Sequence, residues 1–506
     1  MLCIIAQVGA AIGLNPVPLT VNAFENIMLF LGYPSRKQMS GGLIRETVPG
    51  TALFVYTSSQ IEYLAKSRRG ELSMKAVPHL GFLYLAAVLR DYGIDCVVMD
   101  RTTDQFEIAD LAKFVHDRQP VFVGFYSDSV TREAVCAWVS GLRAVCGDLP
   151  ILVGGPNASE PGPYLAAGAT MVCTGEGERA IVGMVEAIEG ARDPSTVDGI
   201  AFMKDGVAVV TAPAEPVKDL DELPFPRRDI IDMHRHHDWR VLNMRQPYTT
   251  MITSRGCHRG CTFCSVPHIA GHGVRLRSPQ NVLAEIDELV LEHGVRYITF
   301  KDDYFAADHA WEEAFLDGLI ARKHDLIWTC QTHPFVFEKD REARMNRYRR
   351  AGCDLIIFGL QSSDPNVLRL ARRSVREPSA VRANVQAARR AGIQTVVEFI
   401  FGLPGCTRET IAADIDFALK IRPQYAAFYP LMRLAPSELF DQYGETGDIC
   451  GIPEDELMSL SSGAYRRFYL NPRILLPTGL YVLTHNPFWL RHGFSYLRGE
   501  IMSARR

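Results

Sequence analysis

This chain has no long apolar run and no dominance of either charge, and both gaps narrow what it can do. Lysine and arginine number 54 against 58 aspartates and glutamates, a formal net charge of −4 over 506 residues, so no electrostatic surplus points to a nucleic-acid partner. The basic cluster Arg344, Arg347, Arg349 and Arg350 falls at helical spacing and reads as a solvated face. The first fourteen residues are apolar, yet they carry no basic leader and are interrupted at Asn15-Pro16, too short to span a bilayer. We therefore expect no integral membrane segment and a cytoplasmic location. A disulfide framework is missing too. Of twelve cysteines, nine are scattered, several in apolar stretches such as Met171-Val172-Cys173, where a free thiol behaves as a small hydrophobe. A reducing compartment follows.

What is present is an ordinary globular composition, 47% hydrophobic and 22% charged, in a chain long enough for two or three domains. From residue 51 to about 195, short apolar runs alternate with amphipathic ones: strands at Thr51–Tyr56, Asp95–Met99, Val121–Tyr126, Ile151–Val153 and Met171–Cys173, with helices between them. That pattern predicts an α/β fold, a Rossmann-like doubly wound domain. Residues 196–240, where short strands from Asp198 lead to the proline-rich Leu223-Pro224-Phe225-Pro226, read as a linker. A second βα series over 241–432 has strands at Thr249–Thr253, Tyr297–Phe300, Ile327–Cys330, Leu355–Phe358, Thr395–Phe401 and Tyr425–Tyr429. It predicts a partial (β/α)6 barrel of the TIM type, with reactive loops at the strand C-termini. Residues 433–506, rich in aromatics such as Tyr465, Phe468, Tyr469, Phe488 and Trp489, read as a helical C-terminal cap, and residues 1–50 as an N-terminal extension.

Only one trio of cysteines is clustered: Cys257, Cys261 and Cys264, in the loop after the first barrel strand. A closed zinc site would need a fourth ligand at short range. The next cysteine is Cys330, and His258 and His268 lack the knuckle spacing. Four-iron clusters take one thiolate per iron, so three thiolates leave one iron open to a substrate. The C-x3-C-x2-C spacing, with Phe263 before the last cysteine, resembles the signature of the radical S-adenosylmethionine (SAM) superfamily. Three further elements follow in order. Asp302-Asp303 ends the second barrel strand, Gly359-Leu360-Gln361-Ser362 the fourth, and Phe399-Ile400-Phe401-Gly402 the fifth. The resemblance implies a [4Fe-4S] cluster on the three cysteines and catalytic roles for Asp302, Asp303 and Gln361. It also implies SAM contacts from Asp303, Gln361, Ser362, Ile400 and Gly402. Gln361 departs from the family, which carries glutamate there; its amide can hydrogen-bond but brings no charge.

The first domain extends the resemblance to the cobalamin-dependent radical SAM family. Pro78-His79-Leu80-Gly81, Ser127-Asp128-Ser129, Gly154-Gly155-Pro156 and Gly175-Glu176-Gly177 stand at successive strand ends, and the resemblance implies that Gly81, Ser127, Ser129, Gly154, Gly155, Pro156, Gly175, Glu176 and Gly177 line cobalamin. A Rossmann-like domain with mere turn glycines is the alternative. The Asp-x-His-x-x-Gly element that supplies an axial histidine elsewhere is missing after the first strand, implying a cobalt without a protein histidine below it. The family implies a methyltransferase acting on an unactivated carbon or phosphorus of a small molecule through a 5′-deoxyadenosyl radical, fed by an electron donor such as flavodoxin or ferredoxin. A cyclase or oxidoreductase without methyl transfer, or a non-catalytic cobalamin sensor, are the other readings. Substrate choice falls to loops and cap, where Arg433 and His485 carry no recognisable motif.

Overall fold

The computed structural model describes residues 50–57, 75–104, 106–238, 245–444 and 446–485; the extension at 1–49 and the aromatics Phe488 and Trp489 lie outside the described residues. The first domain runs β1 (Thr51–Tyr56), α1 (Leu80–Asp91), β2 (Asp95–Asp100), α2 (Ile108–Arg118), β3 (Val123–Tyr126), α3 (Arg132–Cys146), β4 (Ile151–Gly154), β5 (Met171–Cys173), α4 (Gly177–Ile188), β6 (Ile200–Lys204) and β7 (Val207–Val210). The sheet order is β2-β1-β3-β4-β5-β6-β7. The first five strands are parallel and the last two antiparallel. The continuous apolar run of β1 follows from burial on both faces. Leu53 and Val55 pack with Val123, Phe125 and Trp138 on one side, and Ala52 and Phe54 with Phe82, Phe122 and Met184 on the other. Strand order reverses between β1 and β3, and the crevice outside the carboxyl ends of such strands is where open α/β sheets take ligands.

The stretch read as a linker begins inside this sheet. Ile200, Ala201 and Phe202 are buried against β5, whereas Val207 and Val210 on β7 are exposed, as an edge hairpin should be. The short strands read from Asp198 are this hairpin, but a pattern so short does not show that it joins the first sheet. After it, short 3-10 turns carry the chain past Arg227, which binds Asp95 and Asp229, to the buried Arg228. Arg228 donates to the Thr250 carbonyl at 2.8 Å and pairs with Glu285 at 2.7 Å, so the connection is itself a wedge between the two domains.

The second domain contains β8 (Tyr248–Met251), α5 (Pro279–Leu291), β9 (Tyr297–Phe300), α6 (His309–Arg322), β10 (Ile327–Thr332), α7 (Arg341–Arg350), β11 (Cys353–Gln361), α8 (Glu377–Ala391), β12 (Gln394–Phe401), α9 (Arg408–Ile421) and β13 (Tyr425–Pro430). All six strands are parallel, in chain order. Helix starts follow local chemistry: Ser278 caps α5 with Pro279 in the first turn, Asp308 caps α6 and Thr407 forms a capping box on α9. Phe300, Trp328, Phe358, Val397 and Phe399 face the helices in the main core, while Leu355, Ile357, Val396 and Ala427 form a separate small cluster. Outside β13, α10 (Glu454–Tyr469) caps the barrel. Ser461 donates to the Phe428 carbonyl at 2.6 Å and Tyr469 to that of Ala426 at 2.9 Å, the packing role expected of these aromatics. Among the described residues no helix is long and apolar enough to cross a membrane.

Candidate active site

The cysteine loop leaves β8 and is pinned at its root. Asp302, at the end of β9, is buried and its Oδ1 accepts from Thr253 N at 2.9 Å, Thr253 Oγ1 at 2.6 Å and Ser254 Oγ at 2.6 Å. Burial pushes its carboxyl up to about 6 despite those donors. Its neighbour Asp303 turns the other way, accepting from Gly256 N at 2.9 Å, close enough to Cys257 and Cys264 to disfavour both thiolates. Gly256 has φ +87°, and a Cβ there would lie 2.5 Å from the Gly273 carbonyl, so the turn into Cys257 requires glycine.

All three cysteines are half-buried free thiols. Burial raises the Cys257 thiol and pushes that of Cys264 up to about 11, with the neighbouring thiols adding repulsion. Metal binding to such thiols releases protons. The residues present fit a cluster: three thiols near enough to disfavour one another's ionisation, no disulfide, and N–H donors aimed at sulfur from Arg259 N to Cys257 at 3.4 Å and Arg373 Nη1 to Cys261 at 3.5 Å.

The SAM-facing elements separate on inspection. Gln361 sits at a register shift in β11 with φ +74°, a strained setting for a non-glycine residue that costs about 1–3 kcal/mol and clusters at ligand sites. Ser362 is instead consumed by the fold. Its Oγ bonds Asp414 of α9 at 3.0 Å, beside Ser363 Oγ at 2.7 Å. Asp302 is likewise spent on the loop root, so of the acidic pair only Asp303 reaches the mouth. Ile400 and Phe263, the aromatic before Cys264, pack against the same buried cluster around Val367 and Leu403. Gly402, Leu431, Arg433 and Leu457 line a cavity of about 350 Å³ between barrel and cap.

On the first domain, Gly155 has φ +112° and a Cβ would meet the Ser127 carbonyl at 2.4 Å, while around Gly81 and Gly175 nothing lies within 4 Å of where a Cβ would stand. These backbones are open to a large flat ligand, and Ser129 and Pro156 are exposed beside them. Gly154 and Gly177 pack closer to protein, against Cys173 and Leu85. Ser127 differs from the expectation: it is buried, with its hydroxyl 2.7 Å from that of Tyr164. Glu176 also differs. Its carboxylate accepts from Val217 N at 2.8 Å and pairs with Arg275 and Arg255; burial opposes its ionisation, but these partners win and hold it below the usual range. Glu178 binds Arg255 at 2.6 Å, and Arg255 also lies over the Tyr84 ring. The residue two before Cys257 is thus clamped to the β5–α4 loop of the first domain. Sequence reasoning missed this clamp, because its partners are distant in the chain and surface-type residues by composition. It also missed Arg373.

Comparison with known proteins agrees with both halves. The model of the radical SAM superfamily matches residues 251–418 and that of the B12-binding domain residues 75–185, together more than half of the chain. The chain belongs to the cobalamin-dependent radical SAM family. Like other members of the cobalamin-dependent radical SAM family, it is a radical SAM enzyme whose cofactors are a [4Fe-4S] cluster, SAM and cobalamin. An uncharacterized methyltransferase of Pyrococcus horikoshii is 25% identical, over 79% of this chain and 89% of the relative. The anaerobic magnesium-protoporphyrin IX monomethyl ester cyclase of Rubrivivax gelatinosus is 24% identical, over 78% and 74%. The radical SAM methyltransferase TsrM of Kitasatospora setae, solved with cobalamin and a [4Fe-4S] cluster, shares the fold with a TM-score of 0.61 at 19% identity, over 78% of this chain and 74% of that one.

Proposed function

We propose that this radical SAM enzyme is a methyltransferase that methylates an unactivated carbon, or phosphorus, of a small-molecule biosynthetic intermediate. The observation that carries the reading is the Arg255 clamp. It ties the cysteine loop to the β5–α4 loop through Glu178 and Glu176, so cobalamin on the first domain and SAM on the second would open on one cleft. When bound, the three cofactors together supply hydrogen-atom abstraction and a transferable methyl group.

In this reading Cys257, Cys261 and Cys264 hold the cluster. Asp303 offers a carboxylate to the SAM ammonium, Gln361 an amide to a hydroxyl or carboxylate, and Ile400 and Gly402 a wall beside the adenine. Gly81 and Gly175 let backbone approach the corrin, while Gly155 lets the end of β4 close on the Ser127 backbone. Asp302 and Ser362 act one layer back, fixing the loops that carry those groups. Arg433, which lines the cavity under the cap 4.0 Å from Glu454, would meet an anionic part of a substrate. Electrons would come from a small redox protein such as flavodoxin or ferredoxin.

The test is anaerobic incubation of the reconstituted enzyme with SAM, reductant and candidate metabolites. S-adenosylhomocysteine and 5′-deoxyadenosine rising together with a mass gain of one methyl group support the reading. A second reading, cyclisation or oxidation without methyl transfer, is favoured by the similarity to the Rubrivivax gelatinosus cyclase. It predicts 5′-deoxyadenosine alone.

A further inference from the structure

The cysteine loop provides two of its own sulfur donors. Cys257 receives Arg259 N and Cys264 receives Val266 N, each two residues downstream. The donor at Cys261 comes from another part of the barrel. Arg373, in the loop between β11 and α8, sends Nη1 to Cys261 Sγ at 3.5 Å, Nη2 to the Gly359 carbonyl at 2.5 Å and Nε to Glu377 Oε2 at 2.8 Å. One planar fork therefore joins a cysteine sulfur, the strand that ends in Gln361, and a buried carboxylate. The fork is held rigidly, since the side chains of Arg373 and Glu377 are only 8% and 1% exposed.

Glu377 is anchored in turn. Its Oε1 accepts from Ser374 N at 3.2 Å and lies 3.1 Å from His333 Nε2. His333 Nδ1 accepts from Phe335 N at 3.3 Å, which puts the ring proton on Nε2, facing the carboxylate. Arg259 Nη2, 3.4 Å from the same Nδ1, is a second cation on this side. Burial would raise the Glu377 carboxyl, but His333 and Arg373 overcome it and keep the group ionised. A buried guanidinium with a buried counter-charge is costly to assemble, and its free end is spent on sulfur.

We propose that Arg373, positioned by Glu377 and His333, sets the reduction potential of the cluster by donating a charged hydrogen bond to the Cys261 sulfur. Hydrogen bonds to cluster sulfurs and local net charge are the protein's levers on that potential. Adding an electron makes the cluster more negative, so a cationic donor favours the reduced form. The proposal rests on Cys257, Cys261 and Cys264 being the cluster's thiolates.

The experiment is a potentiometric titration, followed by electron paramagnetic resonance, of anaerobically reconstituted full-length enzyme without SAM, in the native, Arg373→Gln, Arg373→Lys and Glu377→Asp forms. At a fixed potential, Arg373→Gln should lower the reduced-to-oxidised ratio about tenfold, equivalent to about 59 mV for one electron. Lysine should recover part of the loss, and Glu377→Asp, which keeps the counter-charge but draws the fork away from sulfur, should fall between native and Arg373→Gln. Iron and sulfide content is measured on each sample. If Arg373→Gln loads poorly, the lysine and Glu377 variants, which keep a cation in place, carry the comparison. Variants that hold a full cluster and titrate at the native potential overturn the proposal. Separate Cys257→Ala, Cys261→Ala and Cys264→Ala variants that retain a four-iron cluster would instead overturn the ligand assignment beneath it.

Discussion

Asp302 is where the structure departs most usefully from expectation, and its replacement separates two roles. As a SAM contact, its loss would weaken SAM binding and leave the loop intact. As the clamp described above, its loss orphans Thr253 N and the hydroxyls of Thr253 and Ser254, all bonded to Oδ1. Leaving buried donors unpaired costs about 1–3 kcal/mol each, or roughly 3–9 kcal/mol for the three, centred on about 6. Against this stands the relief of a buried charge: raising a carboxyl from its ordinary value to about 6 corresponds to about 3 kcal/mol. Asp302→Ala should therefore destabilise the apo-protein by about 2–3 kcal/mol and lower iron incorporation. Asp302→Asn keeps an acceptor, removes the charge and should stay within about 1 kcal/mol of native. The sign with pH follows from the raised value. The folded form holds the proton more tightly than the unfolded chain, so this group's contribution is fully present below about pH 4 and is lost as pH rises through about 6. Asparagine should flatten that part of the stability curve. Thermal melts across pH, iron content, and the SAM-induced change in the spectrum of the reduced cluster are the assays. An Asp302→Ala protein that melts and loads like native refutes the clamp. A fully loaded Asp302→Asn that no longer responds to SAM returns Asp302 to the SAM site.

Other perturbations test other parts. Asp414, also pushed up to about 6 by burial and bonded to Ser362 and Ser363, should impose the same direction of pH dependence, and Asp414→Asn should flatten it in melts. Breaking the interdomain clamp with Glu178→Gln or Arg255→Leu should cost about 3–5 kcal/mol, the range for splitting a buried pair, and should speed proteolysis between the domains while iron content stays native. Gly155→Ala forces a Cβ to 2.4 Å from the Ser127 carbonyl. It should reduce retained cobalamin, read by its visible absorbance, more than tenfold without loss of iron.

The parallel strands of both sheets were readable because each is a short apolar run bounded by turn residues, and β1, β5 and β9 fall at the expected residues. β6 and β7 were legible as short strands but not as members of the first sheet, because an edge hairpin buries only part of one strand and leaves a weak period. In the site, chain-local features were legible: the cysteine spacing, the acidic pair and the glycine turns. Which acid points where was not, because Asp302 and Asp303 differ only in which face of the strand end they occupy. Ser362 and Ser127 looked like ligand hydroxyls until their buried partners, Asp414 and Tyr164, were known. Arg373 was hidden for the opposite reason: it lies 112 residues beyond Cys261, and an arginine near a helix start has no signal of its own.

The claim at the centre of this account is methyl transfer, and it can be tested without knowing the substrate. Enzyme reconstituted with cluster and cobalamin is reduced anaerobically, given SAM bearing a deuterated methyl group, and its cobalamin and small products are analysed by mass spectrometry. The account predicts labelled methyl on the bound cobalamin with an equal yield of S-adenosylhomocysteine. SAM consumed to 5′-deoxyadenosine alone, with the cobalamin unlabelled, would contradict it.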